Sequence, residues 1–381
     1  MGKIYVDHAA TSPIHPSVAE VMLEVMKNTF GNPSSIHSYG REARKVIDES
    51  RMTLAKSIGA KPNELIITSG GTEADNYAIV GIAESYQHQG KHIITTQIEH
   101  HAVLHTCQQL EKRGFDVTYL TVNEVGEISL KELNDAIRED TILVSIMYGN
   151  NEVGTMQPIK EISELLKSSN ALFHTDAVQA YGIIPIDVYE LGIDLMSVSA
   201  HKLNGPKGIG FLYAREGVSL APRFFGGEQE RKRRPGTENV AAIAGFKQAV
   251  SIAQDDMFEK QKQFVHYKKM FIKRLEESSI SFHQNGLLEK SLPHVLNLSF
   301  PGTDVEAMLV NLDLAGIAAS SGSACTAGSI DPSHVLVAMH GKDSERIRNS
   351  IRFSFGLYNT ENEIIHIANE VAKIVKRLTR A

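Results

Sequence analysis

From Leu65 onward, short apolar runs alternate with stretches of helical periodicity, and this alternation admits few folds. The strand candidates are residues 65–68, 92–96, 117–120, 143–147, 172–176, 195–199 and 210–214. Seven short strands separated by helical crossovers predict an α/β domain on a mostly parallel sheet, because parallel neighbours cannot be joined by a tight turn. Ligands of such sheets bind beyond the carboxyl ends of the strands. Residues 69–72, His100, Asn151, Asp176 and Lys202 all fall at or just after the end of a strand candidate.

The flanks suggest the rest of the architecture. Helical patterns over about 16–27 and 40–58 bracket the breaker Gly31-Asn32-Pro33-Ser34-Ser35, with Ala43, Ile47, Leu54 and Ile58 forming one apolar stripe. A long helical region opens near Asn239, and short strands at 294–300 and 351–354 alternate with helices after it. A chain of 381 residues is long enough for two domains. The expected division is a large domain over 15–255 and a smaller α+β domain made of 1–14 and 256–381.

Charge and cysteine usage exclude several classes. A net charge of -6 argues against a general nucleic-acid binder. The basic run Arg231-Lys232-Arg233-Arg234 follows two acids and precedes Pro235-Gly236-Thr237, so an ordered functional loop is expected there, with no direct nucleic-acid contact. No apolar run is long enough to cross a membrane, and the N-terminus reads as lacking a signal peptide. Cys107 and Cys325 are the two cysteines, too few for a disulfide framework, which points to a reducing cytoplasm.

The chemistry is concentrated in a few stretches. Ser199-Ala200-His201-Lys202 ends an apolar run, and lysine is rarely buried unpaired. A desolvated amine has a lowered pKa and can condense with a carbonyl cofactor. Just upstream, His174-Thr175-Asp176-Ala177-Val178-Gln179 puts a carboxylate at another strand end. Lysine and aspartate are the two groups that pyridoxal 5'-phosphate (PLP) needs, one for its aldehyde and one to keep its pyridine nitrogen protonated. Ser69-Gly70-Gly71-Thr72-Glu73 joins a strand to a helix, where glycines and free N–H groups suit a phosphate. It is neither a Walker loop nor a dinucleotide fingerprint.

Glu99-His100-His101 follows a strand, with His105 four residues beyond His101. The pattern is not H-E-x-x-H and shows no third ligand, so no metal is expected. A histidine ring lying on a cofactor ring is the functional reading, and a helix-capping cluster is the alternative for His101 and His105. Cys325 sits among small residues, from Ser320 to Ser329, which suggests an accessible thiol with reach; Cys107, inside a helical pattern, reads as packing. Arg352, between apolar residues, requires an anionic partner, either a substrate carboxylate or a structural acid.

Together these stretches resemble the NifS/IscS-type cysteine desulfurases, PLP enzymes of the class-V aminotransferase family. The likeness is carried by Asp7-His8-Ala9-Ala10-Thr11, Gly31-Asn32-Pro33-Ser34-Ser35, Ser69-Gly70-Gly71-Thr72-Glu73, Glu99-His100, Asn150-Asn151-Glu152-Val153-Gly154, Asp176-Ala177-Val178-Gln179, Ser199-Ala200-His201-Lys202 and Arg234-Pro235-Gly236-Thr237. Residues 320–327 look like the group with the longer cysteine loop. The resemblance implies PLP-dependent transferase fold type I. By position it implies Lys202 as the cofactor-bound lysine, Asp176 at the pyridine nitrogen, Gln179 at the ring hydroxyl and His100 on the ring face. Gly71, Thr72, Ser199 and His201 would bind the phosphate, with Thr237 reaching in from the second subunit of a homodimer. Asn151 and Arg352 would hold the substrate carboxylate, and Cys325 would accept the sulfur as a persulfide.

The implied reaction converts L-cysteine to L-alanine and passes sulfur to an acceptor protein, such as an iron–sulfur scaffold or a tRNA-thiolating enzyme. A selenocysteine lyase or an aminotransferase of the same family would share Lys202 and Asp176 without needing Cys325. A non-catalytic sulfur carrier would use Cys325 and leave the lysine–aspartate pair without a purpose.

Overall fold

The computed structural model describes residues 2–322 and 332–379. The strands in chain order are β1 (Ile4–Tyr5), β2 (Leu65–Thr68), β3 (His92–Thr96), β4 (Asp116–Leu120), β5 (Thr141–Ser145), β6 (Leu172–Asp176), β7 (Leu195–Ser199), β8 (Gly210–Ala214), β9 (His283–Asn285), β10 (Val295–Ser299), β11 (Ile317–Ala318) and β12 (Ser350–Ser354). Seven form one sheet in the order β2-β8-β7-β6-β5-β3-β4. Only β8 runs against its neighbours; the pairs β3–β4, β3–β5, β5–β6 and β6–β7 are parallel. Strands β2, β3, β5, β7 and β8 are buried along their whole length, as expected for a sheet covered on both faces.

Four strands, β4, β5, β10 and β12, differ by one or two residues at an end from the sequence expectation. β5 covers Thr141–Ser145, whereas the apolar run continues to Met147. The Met147 N–H donates to the Glu99 carboxylate at 2.9 Å instead of to a neighbouring strand, so the chain turns out of the sheet there. β4 begins one residue earlier than expected, at Asp116, which pairs with His92.

The Gly71–Tyr86 helix packs on the central strands and buries Tyr77, Ile79 and Ile82 completely. On the opposite face, Ile47, Leu54 and Val18 from the Ser38–Lys56 and Pro16–Asn28 helices join the core around Phe173, Phe211 and Phe246. The Val240–Glu277 helix is one unbroken element of 38 residues and crosses the boundary expected near residue 255. Its first half, including Phe246, Val250 and Ala253, packs into the large core. Its second half, with Phe264, Tyr267, Phe271 and Leu275, packs against the antiparallel sheet β12-β10-β9 and the Glu361–Leu378 helix.

The N-terminal arm joins that second core: β1 pairs parallel with β11, and Ile4 and Val6 are buried there. Leu292 and Val295 belong instead to the large core, although they follow residue 256 in sequence. Leu292 packs so closely on Gly149 that a Cβ there would lie 2.8 Å from it. Among the described residues, no helix is long and apolar enough to cross a membrane.

Candidate active site

The carboxyl ends of the parallel strands open into a cavity of about 370 Å³. Gly71, Thr72, His100, Asn151, Asp176, Gln179, Ser199, His201, Lys202 and Arg352 all line it. Each arrives by a short route. Asp176 and Ser199 are the last residues of β6 and β7, and Lys202 sits on a single helical turn directly after β7. Gly71 and Thr72 begin the Gly71–Tyr86 helix, preceded by Gly70 at φ 148°, a conformation that favours glycine.

Lys202 Nζ donates to the carbonyls of Ala9 at 2.5 Å and Ala10 at 2.7 Å, so the N-terminal arm forms part of the wall. Desolvation, reinforced by the nearby Arg352, lowers the Lys202 pKa to about 8, against the pull of Asp176 and Asp7. Asp176 is buried and accepts a 2.8 Å hydrogen bond from the Val178 N–H. Burial pushes its pKa up, while His100, that N–H and Lys202 oppose the rise. Gln179 donates to the Ala9 carbonyl at 2.8 Å, so Lys202 and Gln179 share one acceptor.

His100 takes the capping role that the sequence left open for His101 and His105, and its ring also faces the cavity lining. Its ring accepts from the Ala102 N–H at 3.1 Å, capping the His101–Glu111 helix, and it lines the cavity. Burial lowers its pKa. His101 and His105 do not cap that helix; their rings stack 4.9 Å apart, and the His334 ring lies 4.7 Å from His101. His201 Nδ1 lies 3.1 Å from Thr11 Oγ1, and burial followed by the charges of Lys202 and Lys207 lowers its pKa to about 4.

Arg352 already has an acid. Its Nη2 pairs with Asp7 at 2.6 Å and its Nη1 donates to the Asn151 carbonyl at 2.9 Å. The Nε of this almost fully buried side chain has no partner. The structural acid expected for Arg352 is therefore Asp7, and the same side chain lines the cavity.

Thr237 is exposed and absent from the lining of its own chain's pocket. Cys325 lies outside the described residues, but Ser320 and Gly322 just before it line the cavity. Cys107 is fully buried, and burial pushes its thiol up to about 12, as expected for a packing residue. In the basic run, Arg234 pairs with Glu73 at 2.9 Å, and Arg233 donates to the carbonyls of Asn63 and Leu65. These contacts make the segment an ordered loop docked on the start of the Gly71–Tyr86 helix.

Sequence reasoning missed a set of buried carboxyls around Asp176. Asp75 lines the cavity from the Gly71–Tyr86 helix; burial, with Asp176 adding to it, raises its pKa. Its Oδ1 lies 3.7 Å from His174 Nε2, and His174 also touches Ser145 and Ser197. The available signal was an aspartate within a mostly apolar helical run, Ala74 to Ala83. A smaller cavity of about 220 Å³ lies against the other side of Lys202, but no carboxylate lines it.

The residues present fit PLP. The cavity offers a buried carboxylate, a partly desolvated lysine, and hydroxyl and imidazole groups grouped around a helix N-terminus. A Cβ at Gly71 would lie 2.8 Å from Val178, so that position is held by close packing under the site.

Comparison with known proteins agrees with this geometry. The class-V aminotransferase family model matches residues 4–367. A Bacillus subtilis (strain 168) protein named "Putative cysteine desulfurase IscS 1" is 59% identical over 379 residues, covering 100% of both chains. A solved "NifS-like protein" superposes with a TM-score of 0.92 at 37% identity, over 98% of this chain and 100% of the other. A second structure, "SspA in complex with cysteine", gives a TM-score of 0.80 at 36% identity, over 94% of this chain and 100% of the other. With the family model spanning nearly the whole chain and a desulfurase relative aligned end to end, the chain belongs to the class-V aminotransferase family, among its cysteine desulfurases.

Proposed function

We propose that the chain is a PLP-dependent cysteine desulfurase that converts L-cysteine to L-alanine and receives the sulfur on Cys325. The observation that carries this reading is that Lys202 and Asp176 meet at one cavity whose wall also includes Asn151 and Arg352. The relative solved with cysteine supports the choice of substrate.

Lys202 would hold the cofactor's aldehyde end, Asp176 its pyridine nitrogen, Gln179 its ring oxygen and His100 its ring face. Thr72, Ser199, His201 and the helix N-terminus at Gly71 would hold the phosphate, with Thr237 supplied by a second copy in a homodimer. Bound there, PLP supplies an electrophilic aldehyde and an electron-accepting ring. Lys202, with its pKa lowered to about 8, carries enough neutral amine near neutral pH to take a proton from the substrate Cα. Arg352 and Asn151 bind the substrate carboxylate and fix which bond faces Lys202. Cys325 thiolate attacks the substrate sulfur. The S–S bond forms as the carbon–sulfur bond breaks, and the electron pair stays with carbon, which takes up a proton to give alanine. The persulfide then passes to an acceptor protein serving iron–sulfur assembly or tRNA thiolation, in the cytoplasm.

Borohydride reduction of the PLP-loaded protein, followed by peptide mapping, is expected to place the pyridoxyl group on Lys202. A label on another lysine would overturn the site.

A further inference from the structure

The residues assigned to the cofactor's phosphate bring little positive charge of their own. Gly71, Thr72, Ser199 and His201 line that end of the cavity. The first three have no cationic form, and burial, with Lys202 and Lys207 adding to it, holds His201 neutral with a pKa of about 4. Their attraction for a phosphate comes from hydroxyls and from the N-terminus of the Gly71–Tyr86 helix, whose free N–H groups carry a partial positive charge. Glu73 stands in the first turn of that same helix. An anion there suits the helix, but it competes with a bound phosphate for the same positive end.

Arg234 answers that charge. Its Nε lies 2.9 Å from Glu73 Oε1 and its Nη2 lies 3.4 Å from Oε2, a two-point pair. Glu73 Oε2 also accepts from the Ser69 N–H at 2.8 Å, reaching back over Gly70 to the chain just before the helix. Burial pushes the Glu73 pKa up, but Arg234 and Ser69 outweigh it and hold the carboxyl ionised, below its usual range. Arg234 Nη1 donates to the Pro235 carbonyl at 3.2 Å. Neither Glu73 nor Arg234 lines the cavity. The loop that delivers Arg234 is anchored by its own contacts. Glu230 is buried, pairs with Arg51 and accepts from the Ile67 N–H at 3.1 Å. The Tyr77 hydroxyl, one turn beyond Glu73 on the helix, donates to the Arg233 carbonyl at 2.6 Å.

We propose that Arg234 is a positioning residue for the cofactor's phosphate, acting through Glu73: it neutralises and pins the carboxylate in the first turn of the phosphate-binding helix, so that the helix N-terminus stays attractive to an anion. The inference rests on the phosphate assignment made above. It requires an asymmetry that a purely structural ion pair does not. Removing Arg234 leaves a bare carboxylate beside the phosphate, whereas neutralising Glu73 leaves none.

The test measures binding of PLP, and of pyridoxal, which lacks the phosphate, to the full-length cofactor-free protein from the visible absorbance gained on binding. Both ligands use Lys202 and Asp176, so pyridoxal reports the state of the rest of the site. Arg234→Met is expected to weaken PLP binding roughly tenfold, within the range of a charge placed at a helix end, and to hold pyridoxal binding within about twofold. Glu73→Gln keeps the shape and an acceptor for the Ser69 N–H, and it should bind PLP as tightly as wild type or more tightly. The double variant Arg234→Met, Glu73→Gln should recover most of what Arg234→Met loses, a non-additivity that marks the two side chains as one unit. If Arg234→Met does not fold, Glu73→Gln decides alone, and a PLP-selective loss in it would overturn the proposal. Unchanged PLP affinity in Arg234→Met would also overturn it, as would parallel losses of PLP and pyridoxal, or equal losses in both single variants with no recovery in the double. Wild type that binds PLP no more tightly than pyridoxal would instead overturn the phosphate assignment, and the proposal with it.

Discussion

Glu99 offers a test of how the fold handles charge beneath the site. Its side chain is fully buried just after β3. Oε1 accepts from Thr96 Oγ1 at 2.8 Å and from the Met147 N–H at 2.9 Å, while Oε2 has no partner. Burial, with the nearby Asp176 adding to it, raises the pKa from 4.5 to about 8 against those two hydrogen bonds. The folded state therefore binds one more proton than the unfolded chain between these values. The resulting stabilisation is fully present below pH 4.5 and is lost as pH rises through about 8. The span is worth on the order of 5 kcal/mol. Glu99→Gln keeps the shape and the acceptor for both donors but cannot ionise. At pH 5 the variant and wild type should unfold at nearly the same urea concentration; at pH 9 the variant should be more stable by several kcal/mol, on the order of that span. Midpoints measured on cofactor-free protein in matched buffers isolate the effect, because Lys202 and Lys268 titrate equally in both proteins. A difference that stays constant from pH 5 to 9 would refute the reasoning and show that Glu99 is ionised in the fold.

Lys268 should give the opposite slope: it is 2% exposed, and burial lowers its pKa from 10.5 to about 7. The unfolded chain then holds the extra proton between these values, so stability rises with pH across that window, and Lys268→Met should flatten the rise in the same urea series. Cys325→Ala is expected to keep its PLP colour and produce almost no alanine from cysteine, whereas Cys107→Ala should turn over like wild type; normal turnover by Cys325→Ala would point to a lyase that needs no protein thiol. Verified heterodimers of Lys202→Ala and Thr237→Ala subunits should partly recover activity, since one site carries both defects and the other neither, and no recovery would count against a shared site.

Local sequence was enough for the sheet and most of the pocket. Strands buried on both faces must be apolar along their length, and functional residues of such sheets collect at strand ends, so Asp176, Ser199 and Lys202 could be placed before any contact was known. Arg352 was legible only in part. Its apolar neighbours announced the need for an anion, but Asp7, its partner, lies 345 residues away in sequence.

Periodicity reports the face a residue occupies within its own element, and strand-end position reports nearness to the sheet's edge; both are local quantities that the sequence determined by itself. The tertiary structure alone decided which distant segments share a desolvated space. It brought the carbonyls of Ala9 and Ala10 onto Lys202, set Asp176 close enough to raise the pKa of both Asp75 and Glu99, and gathered Gly322 and Ser333 onto Glu152. These effects depend on burial and on through-space separation, which a linear pattern does not encode. The long Val240–Glu277 helix shows the same limit: its pattern marked a helix, but only packing divided its length between two cores.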